Sequence, residues 1–223
     1  MRRSGSPVAK PLTDLGGQPL ALHLARYLHG QGCQPILFAL GHQAPAVATE
    51  LRRLDREHPE LGLQWRDTGS STGNGGRLLR LGTQLPCSSF LMCWCDGLSD
   101  LDLPAMLAFH YAHGRLATVA AVREPARFGV LELDHDRVSA FREKDSADRR
   151  WINGGFFMLE PAAVDFVHDP GEAWESGPMQ RLIAADQLRA YRHNGFWAAL
   201  DSTVDRDQLA RRMSATDSPW QTA

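Results

Sequence analysis

The sequence predicts an α/β protein, a mixed and mainly parallel β-sheet flanked by helices. Helical and strand-like patterns alternate between residues 20 and 122, the arrangement that produces parallel strands joined by crossover helices. The apolar runs at 35–40, 90–95 and 117–122 are short and continuous, as expected of strands buried within a sheet. At 223 residues, with 43% hydrophobic and 22% charged residues, the chain suits one domain over residues 1–223 with a sizeable core.

Each element has its own signal. Residues 2–11 carry no periodicity and read as loop. Leu20, Leu24, Tyr27 and Leu28 follow helical spacing, and Gly30 and Gly32 end that helix. The run 35–40 is a strand closed by Gly41 and His42. Val47, Leu51 and Leu54 mark a second helix, and 61–66 a short strand. A helix over 78–85 follows the glycine-rich stretch, and another spans 103–113. His110 and His113 on that helix have no acid or cysteine at matching spacing, so exposed or capping histidines are expected. After the strand at 117–122, short strands at 128–133, 138–142 and 156–159 read as a meander or a mixed-sheet extension rather than a second domain. The tail supplies a helix at 179–185, a strand at 188–192 and a last helix at 204–213.

The net charge of −2 gives no reason to expect a nucleic-acid or membrane-surface partner, and no apolar run reaches the length of a membrane span. The basic start, Met1 to Pro7, has no apolar stretch behind it and does not read as a secretory signal. Cys33, Cys87, Cys93 and Cys95 lack zinc-ligand spacing and read as reduced thiols of a cytoplasmic protein. Twenty-two arginines accompany only two lysines, Lys10 and Lys144. In so arginine-rich a chain, a lysine marks a place that needs a compact ammonium, or it stands there by chance.

Two stretches carry chemistry. The run 90–95 stops at Asp96-Gly97, which puts Asp96 at the carboxyl end of a strand, the edge where open α/β sheets bind ligands. There Asp96 either holds a divalent cation against phosphates or caps the next turn. Asp201 likewise follows an apolar run. The stretch from Asp67 to Arg77 is rich in glycine and hydroxyl groups and runs into a helix. It either offers free N–H groups to an anion or a polar base edge, or is a mobile surface loop. It lacks the Gly-Lys-Ser/Thr ending of a P-loop. Gly154 and Gly155, between apolar strand residues, signal a close approach of backbone or ligand.

Several motifs, in order, resemble the glucose-1-phosphate cytidylyltransferases of the sugar-phosphate nucleotidyltransferase superfamily. They are Asp67-Thr68-Gly69, Gly75-Gly76-Arg77-Leu78, Asp96-Gly97, Arg127-Phe128-Gly129, Glu143-Lys144, Ile152-Asn153-Gly154-Gly155-Phe156-Phe157, Gly195-Phe196-Trp197 and Asp201. The resemblance runs from about Lys10 to near the end. It implies a Rossmann-like sheet and a reaction of CTP with α-D-glucose 1-phosphate that yields CDP-glucose and pyrophosphate. It further implies that Asp96 and Asp201 hold Mg²⁺ and that Lys10, ahead of Pro11, meets the CTP phosphates. Thr68, Gly69, Asn74, Gly75 and Gly76 are implied to bind the nucleotide. Arg77, Glu143, Lys144, Asn153 and Gly154 are implied to bind the sugar phosphate. Both lysines thus fall on phosphate-handling positions. Family members often form homo-oligomers, so a homo-oligomer is implied as well.

The sequence departs from the family in three places. Family members open with an apolar strand and a G-G-x-G-T-R loop, and this sequence begins after both. That strand is central in such sheets, so two interior strands are expected to have unpaired edges, at about 1–3 kcal/mol for each buried unsatisfied group. Three explanations stand: a start placed too late, a non-enzymatic relative that binds sugar phosphate or nucleotide, or a partner chain that supplies the strand. Asp145 replaces the proline after Glu143-Lys144. Asn74 replaces a threonine before Gly75-Gly76, and can still pair with a base edge.

Overall fold

In the computed structural model, residues 8–123, 130–142, 150–214, 218 and 220 are described. A 3-10 turn at Lys10–Leu12 leads into a small hairpin of β1 (Asp14–Leu15) and β2 (Gln18–Pro19). Then come α1 (Leu20–Gly30), β3 (Ile36–Leu40), α2 (Ala44–Glu57), β4 (Leu63–Asp67), α3 (Gly76–Leu81), β5 (Phe90–Cys93) and β6 (Gly97–Ser99). The next elements are α4 (Leu103–His113), β7 (Ala117–Arg123), β8 (Val130–Asp134), β9 (Arg137–Arg142) and β10 (Trp151–Leu159). The described chain ends with α5 (Pro178–Ala184), β11 (Leu188–Arg192), β12 (Trp197–Ala199) and α6 (Thr203–Ser214).

The main sheet has the order β11-β7-β10-β5. β11 runs parallel to β7, and β10 runs antiparallel to both its neighbours, so β10 is the reversed strand of an otherwise parallel sheet. β3 and β4 form a separate parallel pair. Among the described residues, β3 pairs only with β4 and β5 only with β10. Side chains join the two pieces: Ile36 and Leu40 of β3 share one core with Phe156 and Met158 of β10, with Leu91 and Cys93 of β5 packed against it. All four β5 residues are half-buried, where the apolar run predicts burial on both faces. Among the described residues β5 has a ladder partner on one side only, and it is covered less completely than a strand paired on both.

Local signals explain the well-placed elements. Asp102 caps α4 by accepting from the Ala105 N–H at 2.8 Å, Pro104 sits in its first turn, and Gly114 closes it at φ 62. The apolar face of α1 is buried, and the Tyr27 hydroxyl donates to the Leu101 carbonyl. The glycine-rich helix is shorter than its pattern suggests: α3 ends at Leu81, and Gly82–Gln84 tightens into a 3-10 turn.

His110 corrects an expectation. It is buried, with Nδ1 2.8 Å from Thr118 Oγ1 and Nε2 3.1 Å from Glu160 Oε1. Burial pushes its pKa down, against the pull of Glu160. It fixes α4 to β7 as a neutral polar link in the core. All four cysteines are unpaired, and burial pushes the Cys93 thiol up to about 12 and the Cys95 thiol up to about 11. Neither is a thiolate at neutral pH. No helix among the described residues is long and apolar enough to cross a membrane.

Candidate active site

A two-stranded ladder sets up the site. β12 pairs antiparallel with β6, placing Gly97 opposite Ala199, and the Leu200 N–H donates to the Asp96 carbonyl at 2.8 Å. The residue before β6 and the residue just beyond Leu200 therefore emerge side by side. Leu98 and Leu200 are buried in a shared cluster with Leu15, Leu20 and Leu209, which anchors the junction.

Lys10 arrives from the 3-10 turn, where the Leu20 N–H donates to the Thr13 carbonyl and the Ala9 N–H to the Gln43 side chain. Its ammonium donates to Asp96 Oδ2 at 2.6 Å and to Asp201 Oδ1 at 2.7 Å. Partial burial opposes the charge, but the hydrogen bonds to Asp201 and Asp96 outweigh it and hold the Lys10 pKa above the ordinary lysine value. Three residues from distant parts of the chain thus form one charged junction.

Beside it lies a cavity of about 310 Å³, lined in part by Asp96, Asp201, Asn153, Gly154, Glu175 and Trp197. Its wall is an irregularity in β10, whose register against β7 shifts between Asn153 and Phe157. Such bulges re-aim side chains. Asn153 Oδ1 accepts from the Gly155 N–H at 2.9 Å, Trp197 Nε1 donates to the Gly154 carbonyl at 2.8 Å, and the Trp94 N–H donates to the Gly155 carbonyl at 3.0 Å. Both glycines are required here. A Cβ at Gly154 would stand 2.7 Å from Val122 and 3.0 Å from the Ala120 carbonyl, and one at Gly155, whose φ is +77, would stand 2.5 Å from the Trp94 ring. The close approach that the paired glycines signal is an approach of protein to protein.

The glycine-rich stretch is arranged differently. The Gly73 N–H donates to the Pro170 carbonyl at 3.0 Å, the Gly76 N–H to the Glu172 carbonyl at 3.2 Å, and the Gly75 N–H to Asn74 Oδ1 at 2.9 Å. These three N–H groups, which the composition offers to an anion, are engaged within the protein. Gly69, at φ +92, has its N–H on Asp67 Oδ1. Thr68 is buried and donates to the Leu40 carbonyl at 2.6 Å. Arg77 donates through Nη1 to the Leu40 carbonyl at 2.7 Å and to Thr68 Oγ1 at 2.6 Å. Burial pushes the Arg77 pKa down, with Cys95 and Asp67 acting the other way.

Of the residues singled out from sequence, the structure brings together Lys10, Asp96, Asp201, Asn153 and Gly154. Thr68, Gly69, Asn74, Gly75, Gly76 and Arg77 do not line the cavity. Glu143 and Lys144 lie outside the described residues. Sequence reasoning missed Trp94, Glu175 and the role of Trp197. Trp94 stands two residues before Asp96, a usable signal, whereas nothing in the sequence around Glu175 marks it.

With this geometry in view, relatives are informative. No family model matches the chain. A glucose-1-phosphate cytidylyltransferase of Salmonella typhi is 30% identical over 234 aligned positions, covering 96% of this chain and 91% of the relative. A probable glucose-1-phosphate cytidylyltransferase of Bacillus subtilis is 28% identical over 232 positions, covering 96% and 91%. Among solved structures, HddC from Yersinia pseudotuberculosis complexed with GMP-PN superposes with a TM-score of 0.72 at 19% identity, covering 96% of this chain and 94% of that one. The last likeness shows a shared fold, a Rossmann-like mixed sheet flanked by helices. The first, spanning nearly the whole of both proteins, shows that this chain belongs to the glucose-1-phosphate cytidylyltransferase family.

Proposed function

We propose that this chain, as one nucleotidyltransferase domain, joins CTP and α-D-glucose 1-phosphate into CDP-glucose and releases pyrophosphate. The observation that carries the reading is the convergence of Lys10, Asp96 and Asp201 at the edge of a cavity of about 310 Å³. A phosphate oxygen of the sugar phosphate attacks the α-phosphorus of CTP. The new O–P bond forms as the bond to the β-phosphate bridge breaks, and pyrophosphate leaves with that electron pair. The protein's work is to align two polyanions and neutralise their charge. Lys10 suits contact with triphosphate oxygens, because a compact ammonium with three donors acts as a point charge. Asn153 and the bulge around Gly154 shape the wall against which the sugar lies.

The two carboxylates fit a divalent cation. Separate chain segments already bring an oxygen from each onto one cation, the Lys10 ammonium. No group of three or more His, Cys, Asp or Glu that could hold a metal occurs among the described residues. Mg²⁺ commonly takes one or two carboxylates and completes its shell with phosphate oxygens and water. Bound by Asp96 and Asp201, it would supply charge neutralisation at the reacting phosphates. Unpaired cysteines suit a reducing compartment, and the proposal places the protein in the cytoplasm.

The test is pyrophosphate release with glucose 1-phosphate, Mg²⁺ and, in turn, CTP, UTP, dTTP and ATP. Release with CTP in preference to the others is expected. Preference for another nucleotide would overturn the base assignment alone. Silence with all four, from a protein that glucose 1-phosphate or CTP stabilises against heat, would make the chain a non-enzymatic binding relative.

A further inference from the structure

Asn74 stands where the family resemblance implies contact with the nucleotide, yet both ends of its side-chain amide are already committed. Its Oδ1 accepts from the Gly75 N–H at 2.9 Å and from the Trp174 N–H at 2.8 Å. Its Nδ2 donates to Glu175 at 3.1 Å from Oε2 and 3.3 Å from Oε1. Trp174 is fully buried and packs edge-on against Phe157 in the core, so the backbone that carries Glu175 is fixed. Glu175 lines the same cavity as Asp96 and Asp201. Those two acids share Lys10, whereas no cation among the described residues forms an ion pair with Glu175.

We propose that Glu175 is the acceptor that recognises a hydroxyl of the sugar, and that Asn74 is its positioning residue. The proposal rests on the sugar-phosphate reading of the cavity. A carboxylate held by a neutral amide keeps an acceptor site free on each oxygen, which a cation partner would claim. Sugar hydroxyls supply donors, and hydroxyl-to-carboxylate bonds are among the stronger hydrogen bonds. Trp94 and Trp197 line the same cavity and offer apolar indole surface to the C–H groups of a pyranose ring. The glycine-rich stretch then serves the sugar as well, because through Asn74 it holds a wall of the sugar pocket in place. A threonine there could not accept from two N–H groups and also donate twice to Glu175.

The experiment measures KM for glucose 1-phosphate and for CTP in wild type, Glu175→Gln, Asn74→Ala and Asn74→Asp. Asn74→Asp keeps the acceptor for Gly75 and Trp174 but turns an oxygen toward Glu175, so it separates positioning from folding. Glu175→Gln and Asn74→Asp are expected to raise KM for the sugar phosphate about tenfold while KM for CTP stays within about twofold, the size of one lost charge-assisted hydrogen bond. Wild type is also expected to discriminate against one monodeoxyglucose 1-phosphate, and Glu175→Gln to lose that discrimination. An unchanged sugar-phosphate KM in Glu175→Gln, or a rise confined to CTP in Asn74→Asp, overturns the proposal. If wild type turns over no nucleotide, the catalytic reading fails and thermal stabilisation by glucose 1-phosphate decides instead. A shift in wild type that Glu175→Gln loses sustains the role of Glu175. An equal shift in both, or none in wild type, overturns it.

Discussion

The Asp96-Gly97 corner of the charged junction and the glycine-rich stretch look alike in sequence, since each places an acid close to glycine at a strand end. In the structure they do opposite things. At the junction, Lys10, Asp96 and Asp201 spend their polar groups on one another at the mouth of a cavity, with charges that a phosphate and a cation can take over. In the glycine-rich stretch, Gly73, Gly75 and Gly76 spend their N–H groups on neighbouring chain, and Arg77 spends its guanidinium on the Leu40 carbonyl and Thr68. Glycine marks where backbone must come close. It does not say whether the close neighbour is a ligand or another part of the protein.

The largest effect that separates the two regions is on turnover. Asp96→Asn and Asp201→Asn each keep size and shape but remove a charge from the junction. Each is expected to lower kcat at least about a hundredfold, in line with the loss of one preorganised charge contact at a reacting group. Melting temperature should stay close to wild type, because Asp96 and Asp201 are partly exposed at 27% and 51% of the side chain. Full turnover in either variant would dissolve the contrast, since the junction would then be as structural as the glycine loop.

The next effect falls on stability and comes from the other region. A Cβ at Gly76 would lie 1.9 Å from the Pro170 carbonyl oxygen, and one at Gly73 would lie 2.1 Å from that of Glu172. Both obstacles are backbone and cannot swing aside. Gly76→Ala is expected to cost about 1–3 kcal/mol, or roughly 2–12 °C in Tm for a chain of this size. Thermal melts check this. A Gly76→Ala protein with wild-type Tm but a raised KM for CTP would return the loop to the nucleotide.

Much of this was legible in the sequence, and the rest fails for identifiable reasons. α4 is found at both ends because its stop signals are local: Asp102 caps it and Gly114 closes it. Asp96 and Asp201 stand out because each follows an apolar run, and β6–β12 pairing does the rest. The burial of His110 depends on Thr118 and Glu160, which come from other parts of the chain, so helical periodicity alone gave no warning. Glu175 depends on Asn74, 101 residues away. The packing of Gly73 and Gly76 against 170–172 is likewise a long-range fact, and composition reads only short-range ones.

The smallest effect concerns protons and sharpens the contrast between the two cations. Hydrogen bonds to Asp201 and Asp96 overcome burial and raise the Lys10 pKa, whereas Arg77, buried against a carbonyl and a hydroxyl, has its pKa lowered. A lysine whose folded pKa exceeds its unfolded value contributes its full stabilisation below the unfolded value, about 10.4. That contribution is lost only as pH rises through the higher folded value. Between pH 7 and pH 9, therefore, Lys10 adds no slope to stability, and wild type and Lys10→Met should give parallel plots of Tm against pH. Curves that converge as pH rises through that window would mean that the ammonium sheds its proton early. The junction would then lose its cation near neutrality, and Lys10 could not serve as a fixed positive charge for the triphosphate.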